Sequence, residues 1–104
     1  MNTARYGNGV EVKLAKQLED EGWIVGSRRH IAGPGDLLAV STITGAVMLI
    51  EVKATARGPW AGFGPQDRNA MLTGARSIRA RPVLVWWPKG NDEPEWFYDE
   101  TWPR

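Results

Sequence analysis

The chain has 104 residues, 42% of them apolar and 24% charged, with 13 basic and 12 acidic side chains for a net charge of +1. That balance belongs to a soluble globular protein of single-domain size, large enough to bury a core without covalent staples. There is no cysteine and only one histidine, His30, which excludes zinc fingers, thiolate clusters, disulfide frameworks, cysteine nucleophiles and any multi-histidine metal site within one chain.

In chain order, residues 7–21 read as a helix. Val10, Leu14 and Leu18 recur at the spacing of one buried stripe, and Gly22 is placed to stop it. Trp23, Ile24 and Val25 form a short β-type run, followed by a polar stretch from Gly26 to His30. The tripeptide Gly33-Pro34-Gly35 forces a turn. Two apolar runs, residues 36–40 and 46–54, then flank a polar connection with Gly45 near its end, the pattern of a β-hairpin. Residues 57–65 are too rich in glycine and proline for regular structure. Pro65 suits the first position of a second helix, predicted over residues 65–78 with Met71, Ala75 and Ile78 inward. Residues 82–87 and 95–98 read as two further strands. The expected fold is α/β in the order α-β-β-β-α-β-β, a mixed sheet with flanking helices in one domain. No run approaches the roughly 18 apolar residues of a membrane span, and no secretory leader is recognised, so a cytoplasmic location is expected.

Charge is unevenly distributed. From Lys53 to Arg81 the bases Lys53, Arg57, Arg68, Arg76, Arg79 and Arg81 face the single acid Asp67. Beyond Pro82 the balance reverses, with Asp92, Glu93, Glu95, Asp99 and Glu100 against Lys89 and Arg104. One basic side on a nearly neutral molecule suits a polyanion that touches only that side, although solvated helix and loop positions would look the same.

The chemistry-bearing pattern lies in residues 46–54, AVMLIEVKA. Side chains alternate across a strand, so Glu51 and Lys53 share one face while Ile50 and Val52 share the other. A strand this apolar is expected to be central. Charges on it must then be paired, coordinated or set in a cleft. Asp36 opens the neighbouring strand, where the hairpin would bring its carboxylate beside Glu51. Two adjacent carboxylates repel, and a hard divalent cation with oxygen ligands relieves that repulsion. Each element is weak alone; the informative feature is the ordered set of turn-borne Asp, hairpin, and Glu-x-Lys late in an apolar strand. The competing reading is an Asp that caps a turn and a Glu–Lys pair on an edge strand.

With Pro34-Gly35-Asp36 and Glu51-Val52-Lys53 in the motif positions, the sequence resembles the PD-(D/E)XK nuclease superfamily. Within it the chain is most similar to the archaeal-type (Hjc-like) Holliday junction resolvases and their phage relatives. The likeness includes Gly7-x-x-x-Glu11, Gly22-Trp23-x-Val25, an arginine before the turn, Asp36-Leu37-Leu38-Ala39, Ile50-Glu51-Val52-Lys53, Gln66, and more loosely Trp96-x-Tyr98. It spans nearly the whole chain in order. The resemblance implies a restriction-endonuclease-like fold and a Mg²⁺-dependent endonuclease, with Mn²⁺ able to substitute, acting on branched DNA as a homodimer. Asp36 and Glu51 would be metal ligands, the Val52 carbonyl a further one, and Glu11 a ligand directly or through water. Lys53 would orient or help deprotonate the attacking water and steady charge on the phosphate. Arg28, Arg29, His30, Arg57, Trp60, Phe63, Gln66 and Arg68 are the expected DNA contacts. Residues 29–35 carry no hydroxyl, where the resolvases usually have a serine.

Several residues keep two readings. Glu11 also fits a capping box with Asn8, and Gln66 either contacts the phosphate or sits exposed in a first helical turn. Trp60 and Phe63 either stack on unpaired bases or fold back onto the protein. For the whole molecule the alternatives are a repair- or restriction-type nuclease preferring flaps, ends or duplex, and a catalytically silent DNA-binding module.

Overall fold

The structure, a computed structural model, describes residues 9–28 and 33–103. The first apolar stripe forms helix α1 (Gly9–Asp20), with Leu14, Ala15 and Leu18 buried together with Glu11. Strands β1 (Trp23–Ser27), β2 (Leu37–Ser41) and β3 (Val47–Lys53) follow, then helix α2 (Pro65–Ser77), strands β4 (Arg81–Trp86) and β5 (Glu95–Tyr98), and a 3-10 turn at Asp99–Thr101. This is the order expected from the sequence.

The five strands form one sheet in sequence order. Three of the four pairings are antiparallel, and β3 pairs β4 in parallel. A parallel pair needs a long crossover, and α2 lies in the connection that supplies it. The β2–β3 hairpin is closed by the Ser41 hydroxyl, which accepts the N–H groups of Ile43 and Thr44 at 3.1 Å each. At the far end of β1, Gly26 and Ser27 lie opposite Leu38 and Leu37, so the strand outlasts its apolar run; ladder bonding to β2 overrides glycine's weak strand preference.

Side-chain alternation divides the core into two layers. One layer packs Leu14, Ala15 and Leu18 of α1 against Leu37, Ala39, Met48, Ile50, Val52, Val83 and Val85. The other joins Leu49, Leu84, Met71 and Ala75 to Phe63 and Trp102. One expectation needs correction. Ile78 is 46% exposed, because α2 ends at Ser77 and the backbone leaves helical geometry at Ile78 (φ −110°). Trp102, which no periodicity singles out, is buried in the α2-side layer. Among the described residues no helix is long and apolar enough to cross a membrane.

Candidate active site

The turn before β2 is built so that Asp36 must face β3. Gly35 has φ +88°, a conformation that L side chains rarely adopt, and a Cβ there would lie 2.8 Å from Leu49 Cδ1. Only glycine meets both conditions. Helix α2 closes on the same turn from outside, where a Cβ on Gly74 would lie 2.8 Å from Pro34 Cγ. Arg28 spans the turn from inside: its N–H donates to the Asp36 carbonyl at 2.8 Å and its Nε–H to the Pro34 carbonyl at 3.0 Å.

Asp36 then bonds β3 twice. Its N–H donates to the Ile50 carbonyl at 2.7 Å, and its Oδ2 accepts the Val52 N–H at 2.8 Å. The side chain thus continues the ladder one step past the end of β2. One carboxylate oxygen is committed to this bond; among the described residues the other has no hydrogen-bond donor. Val52 therefore enters the site through its N–H, a role that the motif alone does not show.

Glu51 and Lys53 project from the same face of β3, as the alternation predicts. Lys53 Nζ lies 3.4 Å from Glu51 Oε2, with both side chains about four-fifths buried (21% and 18% exposed), and donates to the Gly62 carbonyl at 3.2 Å. Burial pushes the Glu51 carboxyl up to about 7, helped by the negative charges of Asp36 and Asp67 and partly opposed by Lys53. Asp36 is also raised by burial, against the lowering effects of the Val52 N–H and Lys53. Both shifts state the same fact: the site holds more negative charge than its surroundings solvate. The cleft in front of Glu51 has a volume of about 360 Å³, with Gly33-Pro34-Gly35 along one side, Gly62 and Phe63 along another, and Asp67, Ala70 and Met71 of α2 behind.

The donor set suits a hard divalent cation. It offers two carboxylates close enough to perturb each other and no nitrogen or sulfur ligand, which is the chemistry of Mg²⁺ bound by one or two carboxylates with water and phosphate oxygens completing the shell. Among the described residues, no three His, Cys, Asp or Glu side chains group closely enough to hold a metal ion. No such group includes Glu11, so direct ligation beside Asp36 and Glu51 finds no support among the described residues. Glu11 is buried on the α1 stripe, which packs against the sheet face bearing Ile50 and Val52, opposite Glu51.

Apart from Arg28, whose N–H groups brace the turn before β2, the expected DNA contacts divide into four groups. Arg57 and Gln66 are exposed. Arg68 is half-buried, its Nη1 donating to the Phe63 carbonyl at 2.8 Å. Phe63 is 2% exposed and Trp60 half-buried, their rings stacked 6.4 Å apart; the Phe63 ring is folded back into the protein. Arg29 and His30, like Asn8, lie outside the described residues. Asp67, in sequence only the lone acid of a basic run, lines the cleft and acts on Glu51; its position one residue after Gln66 in the first turn of α2 is the signal that points there. The acidic C-terminal stretch neutralises part of that run directly. Arg81 bonds Glu100 at 2.6 Å, lies 3.9 Å from Asp99 and sits 4.1 Å over the Tyr98 ring.

No protein-family model and no curated protein matches the chain. Among solved structures, the chain is similar to Hjc, a Holliday junction resolvase from the archaeal hyperthermophile Archaeoglobus fulgidus, with a TM-score of 0.73 and 17% sequence identity over 89% of this chain and 79% of that one. At that identity the likeness establishes a shared fold: the mixed five-stranded sheet with two helices is of the restriction-endonuclease-like, Hjc-like type.

Proposed function

We propose that this protein is a metal-dependent DNA endonuclease that hydrolyses phosphodiester bonds in branched DNA, with four-way junctions as its preferred substrate. The observation that carries the reading is the convergence of Asp36, Glu51 and Lys53 at one end of the β2–β3 pair, where the Asp36 carboxylate is anchored on the Val52 amide. A binding module has no use for two mutually repelling carboxylates in a cleft. A phosphodiesterase does. The shared fold with a protein described as a Holliday junction resolvase supports the same reading.

In this account Asp36 and Glu51 hold Mg²⁺, with the Val52 carbonyl as the adjacent main-chain oxygen. The ion, when bound, supplies a water of lowered pKa and neutralises charge on the scissile phosphate. The protein's own groups do the rest. Lys53, held between Glu51 and the Gly62 carbonyl, keeps donor capacity to orient the attacking water or meet a phosphate oxygen. Gln66 and Arg68 of α2, together with the exposed Arg57 beyond β3, grip the flanking backbone, and guanidinium groups do so bidentately. A homodimer would place one such centre on each of two strands of a two-fold symmetric junction.

Incubation with four-way, flapped and linear duplex substrates in Mg²⁺ tests the proposal. Preferential, paired cutting of the four-way junction is expected. Equal cutting of linear duplex would reassign the protein to a repair- or restriction-type nuclease, and tight junction binding without cutting any substrate would leave only a binding module.

A further inference from the structure

We propose that the loop of residues 60–64 and Trp102 form a positioning device for the Lys53 ammonium, with Phe63 and Trp102 as positioning residues. The catalytic consequence rests on the nuclease reading above; the geometry does not.

A lysine ammonium is a point charge on a flexible four-carbon stem, so its use in catalysis requires that something hold it in place. Here the ammonium donates to the Gly62 carbonyl at 3.2 Å and forms an ion pair with Glu51 Oε2 at 3.4 Å. Its Nζ also lies 5.8 Å from the centre of the Phe63 ring. Gly62, whose carbonyl meets Lys53, has φ +73°, and a Cβ there would lie 3.7 Å from Lys53 Nζ.

A loop with glycine at 58, 62 and 64 would not keep one carbonyl in place by its own stiffness. The aromatic residues around it do. Phe63 is buried and its N–H donates to the Trp60 carbonyl at 3.0 Å. Trp102 meets the Phe63 ring edge-on at 5.4 Å and the Trp60 ring at 6.2 Å. The Trp102 indole N–H is itself fixed on the Phe97 carbonyl at 2.8 Å. Arg68 closes the loop from α2 by bonding the Phe63 carbonyl, with its guanidinium 6.0 Å over Trp60. A single chain of contacts therefore runs from the C-terminal turn through two buried rings to the carbonyl that meets Lys53. A packing role alone would not require the buried ring to be the immediate neighbour of that carbonyl.

The test compares wild type with Trp102→Leu and Trp102→Phe, well below the melting temperature of each. Three quantities are read: the NMR shift of the Lys53 ε-methylene protons, the single-turnover rate of junction cleavage in Mg²⁺, and junction affinity. In wild type the Phe63 ring should displace the ε-methylene resonances. Trp102→Leu should lose that displacement and cut about 10-fold more slowly or worse, with unchanged junction affinity, and Trp102→Phe should recover most of both. A folded Trp102→Leu protein that keeps the wild-type Lys53 resonances and the wild-type rate overturns the inference. If Trp102→Leu does not fold, Trp60→Leu takes its place, read by the Lys53 resonances and by the single-turnover rate at saturating protein, with the same loss expected in both. A wild-type protein that cuts no DNA defeats the nuclease reading, while the Lys53 resonances still decide whether the ammonium is held as described.

Discussion

Replacing Glu51 by Gln should make the metal-free protein more stable at neutral pH. The folded chain holds the Glu51 carboxyl at about 7, against an ordinary 4.5. Below about pH 4.5 the group is protonated whether the chain is folded or not, and it contributes nothing. Between about 4.5 and 7 the folded state keeps a proton that the unfolded state has released, so stability falls as pH rises. Above about 7 the full penalty is present. At about 1.4 kcal/mol per pH unit the penalty reaches about 3 kcal/mol. Glutamine removes the charge and keeps the shape, so the variant's advantage should open between about pH 4.5 and 7 and then level off. For a domain of this size that corresponds to a rise in melting midpoint on the order of 10 °C. Urea or thermal unfolding at pH 4.5, 6 and 8, without divalent cations, measures it. Adding Mg²⁺ should stabilise wild type at pH 8 and leave Glu51→Gln unmoved, because only the former has the complete ligand pair. A variant that melts at or below wild type at pH 8, or a gap independent of pH, would refute the reasoning.

Three further expectations follow from the same geometry. Below about pH 7 Mg²⁺ must displace the Glu51 proton, so calorimetry in buffers of different ionisation enthalpy should register proton release that disappears at pH 9; none at pH 6 would contradict it. Gly35→Ala should cost about 1–3 kcal/mol in urea unfolding, because the new Cβ meets Leu49 at a strained φ, and should slow cleavage through Asp36 at temperatures where the variant is folded. Arg79 is the non-glycine residue found at positive φ (55°) among the described residues. It follows the end of α2, where the Ala80 N–H donates to the Ala75 carbonyl at 2.8 Å, so Arg79→Gly should stabilise by about 1 kcal/mol, as read by thermal melting.

The sequence was most legible where periodicity and chemistry coincide. The two-residue alternation of β3 put Glu51 and Lys53 on one face, and the apolar stripe of α1 identified Leu14 and Leu18 as core. Glycine–proline punctuation located the turn before Asp36. What remained hidden were contacts that depend on tertiary closure. A glycine-rich loop announces itself by composition, yet composition does not tell whether Phe63 turns outward or inward. Trp102 sits in a short turn with no period to read, and only the packing of Trp60 and Phe63 explains its burial. The Gly62 carbonyl and the Val52 amide are main-chain groups, so no residue type betrays their part in the site. The helical spacing of Glu11 is right for the core face of α1, where it is buried.

Cleavage of a four-way junction by wild type and by Asp36→Asn, with and without a chelator, tests the central claim most directly. Wild type should cut only with divalent metal present, and Asp36→Asn should bind the junction as tightly but not cut it. Undiminished cutting by Asp36→Asn, or by wild type in the chelator, would place the chemistry elsewhere.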